Sequence, residues 1–252
     1  MAVSEEPRGG AILRFVKAHL NFYRNQDPRY LPAYSPPEAS HYLLVPPATV
    51  RSWLLGRSYP TKAGSRFFEP VITVPDAKRR SLSFINLVEV HVLDALRRDH
   101  HVPLDKIRLA LDYLQRHFGS RHPLAEEKFA TDGLDIFVQK YGQLINASRD
   151  GQLGMREILE TYLKRVERDS KGVALRLYPF TRKRTSNEPK SVVIDPFISF
   201  GKPILAGTGI PTAIVAERYK AGESVSQLSS DYGRSDLDIE EAIRCELELE
   251  AA

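Results

Sequence analysis

The sequence predicts an α+β fold, mainly α: an N-terminal winged helix-turn-helix, a middle region of helices and short strands, and a C-terminal trihelical unit, itself helix-turn-helix-like, with a small β element. Three observations carry this. Segments with apolar residues at helical spacing recur along the chain and are bounded by prolines, glycines and capping residues. Two groups of them, near residues 34–55 and 212–249, are short helices joined by tight turns. Between them lie brief runs of β-favouring residues bounded by turn formers. The expected division is an arm over 1–33, the winged unit and its following helices over 34–122, a middle region over 123–180, a linker over 181–190 and the C-terminal unit over 191–252.

In the arm, Ile12, Phe15, Val16, His19 and Leu20 could share a helical face, and Asn25 to Pro32 interrupts it. Ser35-Pro36-Pro37-Glu38 has the form of a capping box with proline in the first turn. The helix it starts should end near Leu44, because proline disfavours helical geometry in the residue before it and Val45 precedes Pro46. A second helix is expected from Pro47 to Leu55, stopped by Gly56. Val50, Trp53 and Leu54 fall at i, i+3 and i+4 and form its apolar face. Thr49, Arg51 and Ser52 are expected on the other side. This is the arrangement whose second helix enters a DNA major groove.

Tyr59-Pro60 and Ala63-Gly64-Ser65, followed by Phe67-Phe68, predict a two-strand wing whose Arg57, Lys62 and Arg66 can meet phosphates. Lys78-Arg79-Arg80 is a second basic cluster, read as a solvated loop. Two amphipathic helices follow. Ser83 caps one, with Phe84, Leu87, Val88, Val92 and Leu96 inside and Asp94, Arg97 and Arg98 wet. Pro103 opens the next, with Leu104, Ile107, Leu111, Leu114 and Phe118 inside. The scattered His91, His100, His101, His117 and His122 lack ligand spacing and read as surface or capping residues, with no metal site.

From Lys128 the pattern suggests short strands at 128–131, 135–138 and 143–146, turning at Asp132-Gly133 and Tyr141-Gly142. A helix is expected from Met155 to Arg168, then a strand from Val173 to Tyr178. Thr181 to Lys190 is polar, basic and free of apolar side chains, hence the linker. The C-terminal unit should open with a strand at Val192 to Ile194, continue through a Gly- and Pro-shaped loop, Gly201 to Pro211, and form helices from Thr212 to Ala221, Ser224 to Asp231 and Leu237 to about Leu249. The loop lacks the residue order of a phosphate-binding P-loop.

Charge separates the two ends. Asp236 to Ala252 holds seven acids and one base, a net of −6, which leaves +10 on residues 1–235 of a chain whose net charge is +4. A recognition helix beginning with acids opposes the phosphate attraction that supplies most non-specific DNA binding. The first unit is therefore the expected reader, through Thr49, Arg51, Ser52, Arg57, Lys62 and Arg66. The C-terminal unit is expected to contact protein, with Ile243 and Leu247 as candidates. A homodimer is expected, because symmetric dimers read paired half-sites.

No apolar run approaches the roughly 20 residues that span a bilayer. The acidic N-terminus lacks signal-peptide layout, and the single Cys245 permits no internal disulfide, so a cytoplasmic location is expected. Asp132, Asp135 and Asp150 are the acids one could gather into a metal site, but aspartate is common at turns for backbone reasons. No enzyme activity and no cofactor is expected.

Residues Tyr34 to Tyr59 (YSPPEASHYLLVPPATVRSWLLGRSY) resemble the winged helix-turn-helix of the MerR superfamily, and Leu82 to Leu96 resembles the helix after its wing. Val192 to Leu247, with GKPILAGTGIPTAIVAERYKAGESVSQLSSDYG, resembles the domain of unknown function 433. Long members carrying both ends are similar to VapB-type antitoxins. The resemblance implies operator binding, autoregulation and neutralisation of a PIN-domain ribonuclease toxin. Where that family's loop reads G-T-R-I-P, Gly209 stands in place of the arginine. The alternative reading is an effector-sensing MerR-like transcription factor with residues 123–180 as sensor.

Overall fold

The computed structural model describes residues 26–61, 64–98, 104–126, 129–145, 149–182, 185 and 187–247. The helical part of the arm reading, together with Lys62, Pro103, His100 and His101, lies outside the described residues.

Both helices of the first hairpin form. α1 spans Pro36–Leu43 behind the full Ser35/Glu38 capping box, and Leu44 closes it in a left-handed conformation. α2 spans Pro47–Leu55. β1 (Arg57–Thr61) and β2 (Gly64–Phe68) pair antiparallel as a wing, with Arg57 opposite Phe68 and Tyr59 opposite Arg66. The chain then returns beneath α2, where the Trp53 carbonyl accepts from the Val71 and Ile72 amides at 2.8 and 3.1 Å.

α3 (Phe84–Arg98) is the central helix of the molecule. Ser83 caps it as expected, accepting from the Asn86 amide at 3.2 Å. It has no wet side over most of its length: Asn86, Glu89, His91 and Asp94 are buried along with its apolar face. That corrects the placement of Asp94 in water and of His91 on the surface. The reason is that neighbours cover it on several sides, including α1, a 3-10 turn at Pro123–Ala125 and the later helices. Tyr162 donates its hydroxyl to Asp94, and Asn86 donates to Glu89, so the buried polar atoms find partners.

The expected short strands of the middle region do not form. A π-turn at Phe129–Gly133 runs into α5 (Leu134–Ile145), after α4 at Leu104–Phe118. Leu134, Phe137 and Val138 are buried at i, i+3 and i+4, a helical period that four-residue windows conceal. Gly142 is not a turn residue. It allows close approach of α6 (Arg149–Leu163), since a Cβ there would lie 2.7 Å from Gln152 Cδ. α6 starts earlier than expected and stops at Leu163, and Val166–Arg168 forms β3 instead of helix. Val166 pairs with Leu177 of β4 (Ala174–Leu177).

β5 (Val192–Ile194) and β6 (Pro203–Leu205) complete an antiparallel sheet of order β3-β4-β5-β6. This sheet crosses the segment expected to be a linker. Leu177 pairs with Ile194, and Thr181 and Glu188 are buried. Within this stretch the backbone carbonyls of Glu188 and Pro189 accept from the buried guanidinium of Arg165, so its end is tied to the fold although Arg182, Asn187 and Lys190 are exposed.

The C-terminal helices α7 (Thr212–Lys220), α8 (Val225–Tyr232) and α9 (Asp236–Leu247) match expectation closely. Ser224 and Gln227 form a capping box on α8, and Ser235 accepts from the Asp238 amide on α9. Leu205, Val215, Leu228, Ile239, Ala242 and Ile243 build their core, with Leu247 packed against it. Ile243 is buried in this local core, and Leu247 is half-buried against it.

Candidate nucleic-acid interface

The site is assembled from α1, α2 and the wing. α2 is buried around more than half its circumference. Thr49, Val50, Ser52, Trp53 and Leu54 face inward, Thr49 at 7 % exposure and Ser52 at 6 %. Ser52 donates its hydroxyl to the Thr49 carbonyl at 3.1 Å. Thr49 and Ser52 therefore do not present donors to a groove, contrary to the sequence expectation. Short side chains at these positions let α2 pack closely, so their polarity misleads. What remains outside is Pro47, Ala48 and Arg51, with Leu55 half-exposed. Sequence reasoning misses Ala48, because nothing in an isolated alanine signals an exposed contact position.

Arg51 projects from the centre of that exposed strip. Arg57 is exposed at the root of the wing, and the backbone of Arg66 lies on β2 across from Tyr59. Lys62 lies outside the described residues. The helix-to-wing corner depends on Gly56, whose φ of 70° and ψ of −177° only glycine adopts without strain. A Cβ there would strike the Phe68 carbonyl and lie 2.7 Å from Phe67 Cζ. Gly56→Ala should therefore displace the wing and lower stability by about 2 kcal/mol or more. A melting temperature within about 2 °C of the unaltered protein would contradict this account.

The C-terminal unit docks on α1. Tyr34, just before α1, donates its hydroxyl to the Gly201 carbonyl at 2.9 Å. Lys202 pairs with Glu38, and His41 Nε2 lies 3.7 Å from Glu246 Oε2. Burial raises the Glu38 carboxyl, but hydrogen bonds from Lys202 and Ser35 outweigh this and hold it below the usual carboxylate range. Glu246 behaves the same way through His41 and Thr212. Two acids of α9 are thus structural: Glu241 is fully buried against Thr181 and Arg182, and Glu246 faces α1. Asp236 and Glu240 remain exposed.

Elsewhere, Asp135 pairs with Arg156. Among the described residues no group of three or more His, Cys, Asp or Glu is placed to hold a metal ion. Among them, too, no helix is long and apolar enough to cross a membrane. The loop at Gly209 has open space where a Cβ would sit, and Arg234 lies against its neighbour Gly207.

Residues 32–111 match the family described as "Putative DNA-binding HTH domain", and residues 192–244 match "Protein of unknown function (DUF433)". The chain is 32 % identical over 222 residues to "Putative antitoxin VapB45" of Mycobacterium tuberculosis, covering 81 % of this chain and 89 % of that protein. It is 23 % identical over 214 residues to "Uncharacterized protein Rv2308" of the same organism, covering 82 % and 86 %. The crystal structure of Rv2018 from Mycobacterium tuberculosis superposes with a TM-score of 0.62 at 26 % identity, over 85 % of this chain and 98 % of that one. With its helix-turn-helix at one end and its DUF433 domain at the other, this chain belongs to the same family as the protein named "Putative antitoxin VapB45".

Proposed function

We propose that this chain is an antitoxin-like transcriptional repressor that binds the operator of its own operon as a homodimer and neutralises a PIN-domain ribonuclease toxin. The observation that supports it most is the outer strip of α2, where Arg51 stands exposed between Ala48 and a wing that begins with exposed Arg57. Arginine can pair bidentately with guanine, and alanine can meet a thymine methyl group. The wing cations then hold phosphates and set the register. Family membership with a protein named as an antitoxin supports the toxin partner. The C-terminal unit offers exposed Ile214, Tyr219 and Leu237 for that contact.

Arg51→Ala should cost specific binding roughly 1–3 kcal/mol while leaving non-specific binding and the melting temperature unchanged. A gel shift on the chain's own promoter against a scrambled duplex of equal length measures this. Equal loss on both duplexes would remove Arg51 as the base-reading residue. Co-purification with the product of the adjacent gene tests the toxin, and a neighbour lacking a PIN domain would favour an effector-sensing regulator.

A further inference from the structure

The basic cluster Lys78-Arg79-Arg80, outside the helices and the wing, is built as a fixed turn. Asp76 and Ser81 form an antiparallel bridge at its base. The Arg79 amide donates to Asp76 Oδ1 at 2.9 Å. Arg80 sits at φ 58°, a left-handed conformation that a non-glycine residue adopts at some cost. All three cations are exposed, and the Arg79 side chain is 84 % exposed, its guanidinium 4.0 Å from Asp76. A solvated loop needs neither a locked base nor a strained arginine.

The turn's position follows from its anchors. Val71 and Ile72 hang on the Trp53 carbonyl in α2, and Leu82 bridges to Tyr34, immediately before the N-cap of α1. The turn therefore emerges beside the start of α1, while the wing leaves from the end of α2. The start of α1 and the end of α2 are the two ends of the helix pair that are not held at its joint, residues 44–46. The first turn of α1 adds the positive end of its backbone dipole. Its own acid, Glu38, is already paired with Lys202.

We propose that Lys78, Arg79 and Arg80 form a second clamp on the DNA phosphate backbone, so that turn and wing grip the strands on either side of the groove read by α2. The proposal rests on the assignment of α2 as the DNA reader. Phosphate contacts are sequence-independent and release counterions, so they set the salt dependence of binding and not its selectivity.

The test titrates the full chain with its own upstream duplex and with a scrambled duplex at several salt concentrations. The variant Lys78→Gln/Arg79→Gln/Arg80→Asn keeps the turn, because asparagine tolerates the left-handed conformation. It should weaken both duplexes by the same factor and make the slope of log K against log salt shallower by about 0.9 for each phosphate that is no longer neutralised. Arg79→Gln alone should remove about one such increment, and its exposure makes misfolding no concern. An unchanged slope in the single and triple variants, with Arg51→Ala still reducing selectivity, would overturn the clamp and leave α2 as reader. Absence of salt-dependent binding by the unaltered chain would overturn both.

Discussion

Replacing Arg165 with alanine is expected to destabilise the fold by about 3–5 kcal/mol, as loss of one partner from a buried charged network does. Arg165 is 3 % exposed, and its guanidinium donates to four backbone carbonyls. Nε reaches the Tyr178 carbonyl at 2.6 Å and Nη1 reaches that of Glu188 at 3.0 Å. Nη2 reaches those of Pro179 and Pro189 at 3.0 and 2.9 Å. The same group lies 4.5 Å from the centre of the Phe180 ring. Burial lowers the Arg165 pKa, with the charges of Glu188 and Glu241 opposing. Without it, four carbonyls lose their donor in a region that joins β4 to β5 through the single pair Leu177–Ile194. Arg165→Lys should recover only a minor part, because an ammonium cannot reproduce the planar fork. Urea unfolding of the full chain measures both. A loss below about 1 kcal/mol for the alanine variant would show that the segment holds itself in place.

Mild acid should destabilise the protein in a window set by His91. The ring is fully enclosed, stacked at 5.6 Å on Phe180 and 4.9 Å from Tyr162. Its Nε2 lies 3.1 Å from the Tyr162 carbonyl, which can only accept, so that nitrogen carries the proton of a neutral ring. Burial pushes its pKa down to about 3; the hydrogen bond to Tyr162 opposes this and the charge of Arg165 reinforces it. A histidine whose pKa falls on folding contributes its full stability above the unfolded value near 6.5, and loses it as the unfolded chain takes up a proton below that. The slope is about 1.4 kcal/mol per pH unit, so roughly 2 kcal/mol should vanish between about pH 6.5 and 5.

His122 acts in the adjoining window with the opposite sign. Burial lowers its pKa, but hydrogen bonding to Glu89 and the charges of Glu89 and Glu126 outweigh this and raise it. Its contribution is full below the unfolded value and is lost as pH rises through the raised one. Below about 6.5 His91 is opposed by Glu188, whose carboxyl burial raises and which therefore gains stability as pH falls, so the His91 variant is needed to separate the two. His91→Gln, which keeps a donor for the Tyr162 carbonyl, should flatten the urea-derived stability between about pH 6.5 and 5. A variant as steep as the unaltered protein would place the acid sensitivity elsewhere.

Legibility in the sequence followed locality. The capping boxes at Ser35 and Ser224 and the stop at Gly56 act within four or five residues, the wing within a dozen, and all appear where expected. The strands expected in 128–146 fail because a helix of twelve residues, cut into four-residue windows, shows no helical period. Thr49 and Ser52 fail for another reason. Their hydroxyls suit a groove, yet a helix lying between α1 and the returning chain leaves only about a third of its circumference free. Arg51 alone of the three stays outside.

By itself the sequence determined the helix-turn-helix, the wing, the trihelical C-terminal unit and the family, because capping, turn chemistry and apolar period are short-range properties. Only the tertiary structure decided which polar side chains are available. It buried Asp94, His91, Thr49, Ser52 and Glu241, tied Glu188 and Pro189 of the supposed linker to Arg165, and set the C-terminal unit on α1 through Tyr34, Glu38 and His41. Burial depends on which distant segments arrive on each face, and no local pattern of residues carries that information.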